Sequence, residues 1–104
     1  MNSISLIGRT TNEIEIRTTQ SGNLVASFSL AVKRPYTKDK TDFFNVIAWD
    51  KKAELLKQYV SKGNMVGIGG YLTIRTYEKD GQKRYITEVI AENIDLIGSN
   101  SNGQ

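Results

Sequence analysis

Aromatic side chains alternate with polar and basic ones along two stretches of this sequence that have the period of a β-strand. In each stretch they lie on the face opposite the one that forms the evident core, so the core does not need them. Aromatic rings stack on any nucleobase and nearby cations contact phosphates, so this combination is typical of a surface that binds single-stranded nucleic acid. The two faces consist of Phe43, Asn45, Ile47 and Trp49, and of Tyr71, Thr73, Arg75 and Tyr77.

Basic residues stand beside these aromatic side chains in the chain. Lys33 and Arg34 end one strand pattern just before Tyr36, and Arg75 lies within the second aromatic stretch. Taken singly, each ring has an ordinary explanation as core or interface filling, and each cation as a solvated surface group. The joint pattern favours a nucleic-acid surface. Its further cations, around the last predicted turn, are Lys79, Lys83 and Arg84.

The composition excludes several kinds of chemistry. The 104 residues contain no Cys and no His, so disulfides and thiolate nucleophiles are ruled out, and the commonest general base and transition-metal ligand are missing. With 38% hydrophobic and 24% charged residues, the chain is an ordinary globular domain, and its net charge of +3 is compatible with a polyanionic partner. The sequence has neither a signal-peptide pattern nor an apolar stretch near the ~20 residues of a membrane span, so we expect a cytoplasmic protein.

The acidic and glycine-rich segments offer no convincing catalytic or cofactor site. Glu13 and Glu15 share a strand face and suggest paired carboxylates, but Arg17 follows on that face, which favours a solvated row of ion pairs. The glycines at 67, 69 and 70 lack the Gly-Lys-Ser/Thr ending of a phosphate loop, so they indicate a bulge or bend in a strand. We therefore predict a non-enzymatic protein without metal or cofactor.

Period-two patterns dominate the chain and predict an all-β fold with one short helix. Asp50 is the expected helix N-cap, and Lys62 and Gly63 are suitable stop residues. Five strands with a helix between the third and fourth is the order of the OB-fold, a small Greek-key barrel that binds oligonucleotides. The predicted strands are a first one made of the runs 3–9 and 13–17, then 24–33, 42–49, 65–77 and 83–97.

Apolar residues at regular positions predict the core of a single domain over 1–97. The segment Glu78–Gln82 has the composition of a hairpin turn, and the tail 98–104 has no apolar residue, so we expect it to be disordered. The predicted core positions are Leu24, Ala26, Phe28, Leu30, Val32, Phe44, Val46, Ala48, Val66, Ile68, Leu72 and Ile74, with one helix face formed by Leu55, Leu56, Tyr59 and Val60.

Six segments of the sequence together form a specific signature. They are Ile7–Arg9, Ser27–Val32, Asp42–Val46, Lys62–Val66, Gly70–Tyr77 and Gly81–Val89. The last is especially characteristic, and the match extends from residue 3 to about residue 97. On these residues the chain resembles the bacterial single-stranded DNA-binding protein family.

The resemblance implies an OB-fold that assembles as a homotetramer and wraps single-stranded DNA around its outside, protecting it in DNA replication, recombination and repair. It also implies which residues contact DNA. The family's base-stacking positions fall on Tyr36, Phe43, Trp49 and Tyr77, and its phosphate-contacting positions on Arg17, Lys51, Lys62, Arg75 and Arg84. We add Lys33, Arg34 and Lys79 to the phosphate contacts from their placement alone.

The chain departs from the family pattern in three ways. Positions 45 and 73 are often basic in the family but are Asn45 and Thr73 here, which weakens the expected backbone contacts. Tyr36 and Tyr77 offer less stacking area than Trp would. Family members that recruit partner enzymes carry a disordered tail with an acidic tip, whereas this sequence has no acidic residue after Asp95, as in a chain cut to its binding core or in a tail-less variant. We therefore do not expect this chain to recruit genome-maintenance proteins.

Two other functions are compatible with parts of the pattern. One is an OB-fold accessory of replication restart that binds RNA or protein partners, and competition between DNA and RNA would separate it, because only RNA has a 2′-OH. The other is a small metal-dependent nuclease that uses Glu13 and Glu15, which degradation of an oligonucleotide with Mg²⁺ would reveal.

Overall fold

A computed structural model describes residues 1–97, which form six β-strands and one α-helix. The predicted tail, 98–104, lies outside the described residues. The last four strands agree with the sequence prediction to within two residues at each end. The elements are β1 (Ile4–Thr10), β2 (Glu15–Thr18), β3 (Leu24–Lys33), β4 (Thr41–Trp49), α1 (Lys51–Tyr59), β5 (Met65–Lys79) and β6 (Gln82–Ile97).

The strands close into a barrel. Their order is β1-β5-β6-β4-β3-β2, and β1 also pairs with β3 through Arg9 and Thr10, which joins the two sides of the sheet. At this closure Gly8 has no room for a side chain, because a Cβ would collide with the carbonyl oxygen of Ala31. The closed barrel, with its helix between β4 and β5, is the predicted OB-fold.

The prediction of five strands was wrong by one, because the first predicted strand is divided into β1 and β2. β1 pairs along β5, whereas β2 pairs with β3. Between them the N–H of Thr11 donates to the carbonyl oxygen of Ser29 at 3.0 Å, and the side-chain oxygen of Asn12 accepts the Ser29 N–H at 3.3 Å. These bonds lead the chain from one sheet partner to the other. Apolar residues stand at even-numbered positions on both sides of the break, at Ile4, Leu6, Ile14 and Ile16, so the pattern alone is compatible with a single strand.

The core fills the barrel and contains most of the predicted positions. It includes Phe28 and Leu30 of β3, Val46 of β4 and Val66 of β5, all buried. The prediction was wrong for Leu72 and Ile74, which are exposed. Beyond Gly70, β5 pairs only with β6, and β6 pairs with β4 only at residues 88–90. This part of the hairpin therefore extends past the barrel, where its inward face has no opposite wall.

The single helix of the described residues packs against β3, β4 and β6. Leu56 and Val60 are buried as predicted, but Tyr59 is exposed, which corrects its assignment to the apolar face. Asp50 precedes the helix without a side-chain capping bond; its Oδ1 instead accepts the N–H of Leu24 at 3.2 Å. Asp50 therefore ties the helix to β3 rather than capping it. No helix within residues 1–97 is long and apolar enough to span a membrane.

The long β5–β6 hairpin contains the bend that the glycines predict. The register shifts between Gly69 and Gly70, where Asn93 and Ala91 are the successive partners and Glu92 is left over. A Cβ on Gly70 would collide with the carbonyl oxygen of Ile90, so only glycine fits this position without a shift of the backbone. The hairpin turns at 80–81, where both residues have positive φ, the conformation of a tight two-residue loop.

Candidate nucleic-acid interface

One continuous surface of the barrel faces away from the core across strands β2 to β6. The register between neighbouring strands places its residues opposite one another, in rows that run across the sheet. One row runs from Ser29 through Asn45 and Glu88 to Thr73. We call this surface the outer face and define it by Glu15, Arg17, Ser27, Ser29, Phe43, Asn45, Ile47, Trp49, Thr73, Arg75, Tyr77, Arg84 and Glu88.

The predicted stacking residues are exposed. Phe43 and Trp49 lie on the outer face of β4 and are 65% and 43% exposed. Tyr77 lies on the same face of β5 and is also 43% exposed. Large apolar surfaces of this kind are costly to leave in water, so three exposed rings on one sheet face are typical of a contact surface. The strand period alone had placed all three on this face.

Tyr36 lies in the loop between β3 and β4, fully exposed and with a φ of 62°. The loop is fastened at its base by Arg34, whose Nε and Nη2 donate to the two carboxylate oxygens of Asp42 at 3.0 and 2.7 Å. The Arg34 N–H also donates to the carbonyl oxygen of Lys40 at 2.9 Å. The guanidinium of Arg34, predicted to contact phosphate, is therefore engaged with a carboxylate in this structure.

Arg75 is engaged in the same way at the centre of the outer face. Its Nε and Nη2 donate to Oε1 and Oε2 of Glu88 at 3.3 and 3.0 Å. The Arg75 side chain is 58% exposed, but that of Glu88 is only 11% exposed. Hydrogen bonding to Glu88, and then its charge, raise the pKa of Arg75 above its already high ordinary value, so this cation persists at every physiological pH.

The other predicted phosphate contacts are exposed, and none forms a salt bridge within residues 1–97. Arg17 and Arg84 lie on the outer face, and Lys33 follows at the end of β3. Lys51 begins α1 and Lys79 ends β5, while Lys62 follows the helix. The structure thus divides the predicted cations into two that hold carboxylates and six that are open to solvent.

An open cleft of about 250 Å³ lies in the middle of the outer face. Polar side chains of β2 to β6 line it, among them Arg17, Ser27, Asn45 and Glu88. The cleft is bordered by strands that carry the exposed rings Phe43, Trp49 and Tyr77. A flexible polyanion lying across this face would therefore meet rings, hydroxyl and amide groups, and cations in turn.

The acidic pair of the sequence does not form a metal site. The Oε1 of Glu13 accepts the backbone N–H of Lys62 at 2.7 Å, which fastens the segment before β2 to the chain after the helix. Glu15 lies on β2. Within residues 1–97 there is no cluster of three or more acidic, His or Cys side chains that could hold a metal ion, and Glu15 and Arg17 form no salt bridge.

Sequence reasoning missed Glu88 as part of this face. The signal was present: a turn at 80–81 pairs Arg75 with Ile86 and Thr73 with Glu88, so Arg75 and Glu88 are diagonal neighbours across the hairpin. It also missed the exposed rings of Tyr59 and Tyr85. Tyr85 lies on the face of β6 that is opposite the outer face. It is exposed because the hairpin extends past the barrel at this point.

Comparison with known proteins identifies the family. Residues 1–97 match the family described as the single-strand binding protein family. The chain belongs to this family. Its proteins bind DNA and are not enzymes, which confirms the prediction of a non-enzymatic chain.

Relatives in other organisms cover most of this chain. Single-stranded DNA-binding protein 1 of Staphylococcus aureus (strain Mu50) is 47% identical over 102 residues, which are 93% of this chain but 65% of the relative. Single-stranded DNA-binding protein 3 of Clostridium acetobutylicum is 41% identical over 109 residues, covering 98% of this chain and 76% of the relative. The chain thus spans less than two thirds of the length of the Staphylococcus protein.

A solved structure shares the barrel. The Plasmodium falciparum SSB in complex with ssDNA superposes with a TM-score of 0.84 at 31% identity, covering 94% of this chain and 96% of that one. The OB-fold prediction is confirmed by this match. That protein holds single-stranded DNA.

Proposed function

We propose that this protein binds single-stranded DNA without sequence specificity and protects it during DNA replication, recombination and repair. The observation that carries the proposal is the exposure of Phe43, Trp49 and Tyr77 on one face of the barrel, among cations open to solvent. Family membership and the likeness to an SSB bound to ssDNA support the same function.

Base stacking supplies the part of the binding energy that does not depend on sequence. Each stacked base contributes about 1–3 kcal/mol, so Tyr36, Phe43, Trp49 and Tyr77 together would contribute about 4–12 kcal/mol before the cost of ordering the strand. Every base has a π-face, so this contribution is similar for all sequences. The exposed ring of Tyr36, in the loop that precedes β4, extends the surface past the beginning of that strand.

Phosphate contacts supply the part of the binding energy that depends on salt concentration. Arg17, Lys33 and Arg84 stand on or beside the outer face, and Lys51, Lys62 and Lys79 lie at the ends of the neighbouring elements. Each phosphate neutralised on a single strand contributes about 0.7 to the slope of log K against log salt. Asn45 and Thr73, at the centre of the face, add hydrogen-bonding groups without charge.

We propose a homotetramer as the assembled form. Exposed apolar side chains on β1 and on the extended hairpin, Ile7, Ile74 and Tyr85, support contacts between copies away from the outer face. Light scattering after gel filtration tests this: the expected mass is four times that of the 11.6 kDa chain. A mass equal to one chain at micromolar concentration would contradict it.

The binding proposal is tested by competition at two salt concentrations. A labelled oligo-dT bound to the protein is challenged with unlabelled single-stranded DNA of mixed sequence, duplex DNA of the same length, and single-stranded RNA. We expect mixed single-stranded DNA to compete as well as oligo-dT at low salt, duplex to compete poorly, and binding to weaken as salt rises. Stronger competition by RNA would favour an RNA-binding accessory, and no binding of oligo-dT would contradict the proposal.

A further inference from the structure

A carboxylate lies at the centre of the proposed DNA-binding surface. Glu88 stands between Asn45 of β4 and Thr73 of β5, with its side chain only 11% exposed. A negative charge here repels the phosphates of a bound strand, and withdrawing a carboxylate from water costs free energy unless it is paired. The position of Glu88 therefore needs an explanation that its charge alone does not give.

The partner of Glu88 shows what the carboxylate does. It accepts from Nε and Nη2 of Arg75, which fixes the plane of the guanidinium by two parallel bonds. Arginine has five N–H donors, and within the described residues no hydrogen bond uses the other three. The Arg75 side chain is 58% exposed, so these donors are open to a ligand on the outer face.

We propose that Glu88 is a positioning residue for DNA binding: it holds the Arg75 guanidinium in a fixed orientation, from which the free donors bind a phosphate while the ion pair stays closed. This inference rests on the proposed function. An arginine held in this way loses less side-chain entropy on binding than one that moves freely in solvent. The carboxylate thereby strengthens phosphate binding although it carries the same charge as the ligand.

Simple electrostatics predicts the opposite sign, which makes the inference testable. If Glu88 only neutralises Arg75, its removal frees a cation and tightens DNA binding. If Glu88 positions Arg75, its removal weakens binding. Glu88→Gln keeps the shape and removes the charge, and Glu88→Asp keeps the charge but is one methylene shorter. Glu54→Gln is the matched control, because Glu54 is an exposed carboxylate of α1, away from the outer face, and has no salt bridge within residues 1–97.

The experiment measures the affinity for a fluorescein-labelled oligo-dT by anisotropy over a series of salt concentrations. We expect E88Q and E88D to bind about three- to tenfold more weakly at low salt, which corresponds to about 0.7–1.4 kcal/mol. The slope of log K against log salt should become shallower by about 0.7, the value of one lost phosphate contact. A purely structural role of Glu88 would leave that slope unchanged. E54Q should bind as tightly as the wild type, with an unchanged salt slope.

The possible outcomes are distinct. Tighter binding by E88Q, or an unchanged salt slope, overturns the positioning role and leaves the proposed function standing. Failure of the wild type to bind oligo-dT overturns both the positioning role and the proposed function.

Thermal melting checks that the variants are folded. NMR of the wild type provides a second test that needs no variant. The Arg75 Nε–H signal should stay protected from exchange when oligo-dT is added, whereas loss of protection means that the ion pair opens and overturns the inference.

Discussion

The aromatic side chains of this protein differ in where they lie more than in how exposed they are. Phe43 is 65% exposed on the outer face of β4, and Tyr59 is 55% exposed on the helix. Both rings are surrounded by water to a similar degree, so hydrophobicity alone does not separate them. Their neighbours distinguish the two rings, because Phe43 lies on the face that carries Trp49, Arg75 and the polar cleft. The proposed function therefore assigns a binding role to the first ring and none to the second.

Replacing these two rings tests that assignment. Phe43→Ala should weaken binding of oligo-dT by about 1–3 kcal/mol, the contribution of one stacked base, with little change in melting temperature. Tyr59→Ala is the control and should leave the affinity unchanged. Titration of both variants with labelled oligo-dT, together with thermal melts, gives the comparison. Equal weakening by the two substitutions, or unfolding of the Phe43 variant, would return Phe43 to a structural role.

The strands and loops of the barrel place these side chains through a few special positions. Gly70 lies where β6 has one residue more than β5, and a Cβ there would collide with the carbonyl oxygen of Ile90. Its neighbour Gly69 has more space, because a Cβ would be 3.7 Å from the nearest atom, the Cβ of Asn93. The bulge thus depends on one of two adjacent glycines, and it turns β5 from the barrel wall into the hairpin that carries Arg75 and Tyr77.

Alanine at each of these glycines tests the bulge. Gly70→Ala should lower the free energy of unfolding by about 1–3 kcal/mol or more, because the backbone of β5 or β6 must move. Gly69→Ala should change it far less, since its Cβ meets only ordinary van der Waals contacts. Urea unfolding of both variants provides the measurement. Equal losses of stability would mean that the crowding at Gly70 does not govern the hairpin.

The loop that carries Tyr36 has the ion pair between Arg34 and Asp42 at its base. Hydrogen bonding to Arg34 lowers the pKa of Asp42 below its ordinary value of 3.8. A carboxyl group with a lowered pKa stabilises the folded form above its unfolded pKa and loses that contribution as the pH falls through the folded one. The ion pair is therefore complete at neutral pH and is lost only in acid, below about pH 4.

Removing the carboxylate at neutral pH should loosen the loop. We expect Asp42→Asn to make amide hydrogen exchange in residues 34–40 severalfold faster, while the core strands keep the protection they have in the wild type. Asp39→Asn is the matched control, because Asp39 lies in the same loop with a φ of 61°, which Asn tolerates, and has no salt bridge within residues 1–97. Unchanged exchange in the Asp42 variant would show that other contacts hold the loop.

On the scale of the whole molecule, the sequence predicts the fold and the binding face but not the ion pairs on it. Strand period sets the side of the sheet for Phe43 and Trp49, because successive side chains alternate and each strand has one apolar face. The same rule failed at Leu72 and Ile74, since the period does not show where a hairpin leaves the barrel. The sequence analysis also left out the carboxylate partners of Arg34 and Arg75, because such a partner depends on the register between strands.

The central claim is that bases stack on the outer face, and Trp49 reports on it directly because it is the only tryptophan of the chain. The measurement is a titration with oligo-dT at low and high salt that follows Trp49 fluorescence. We predict strong quenching that needs more DNA at high salt. If anisotropy shows that oligo-dT is bound but the fluorescence of Trp49 does not change, the claim is contradicted. The DNA then lies on another surface.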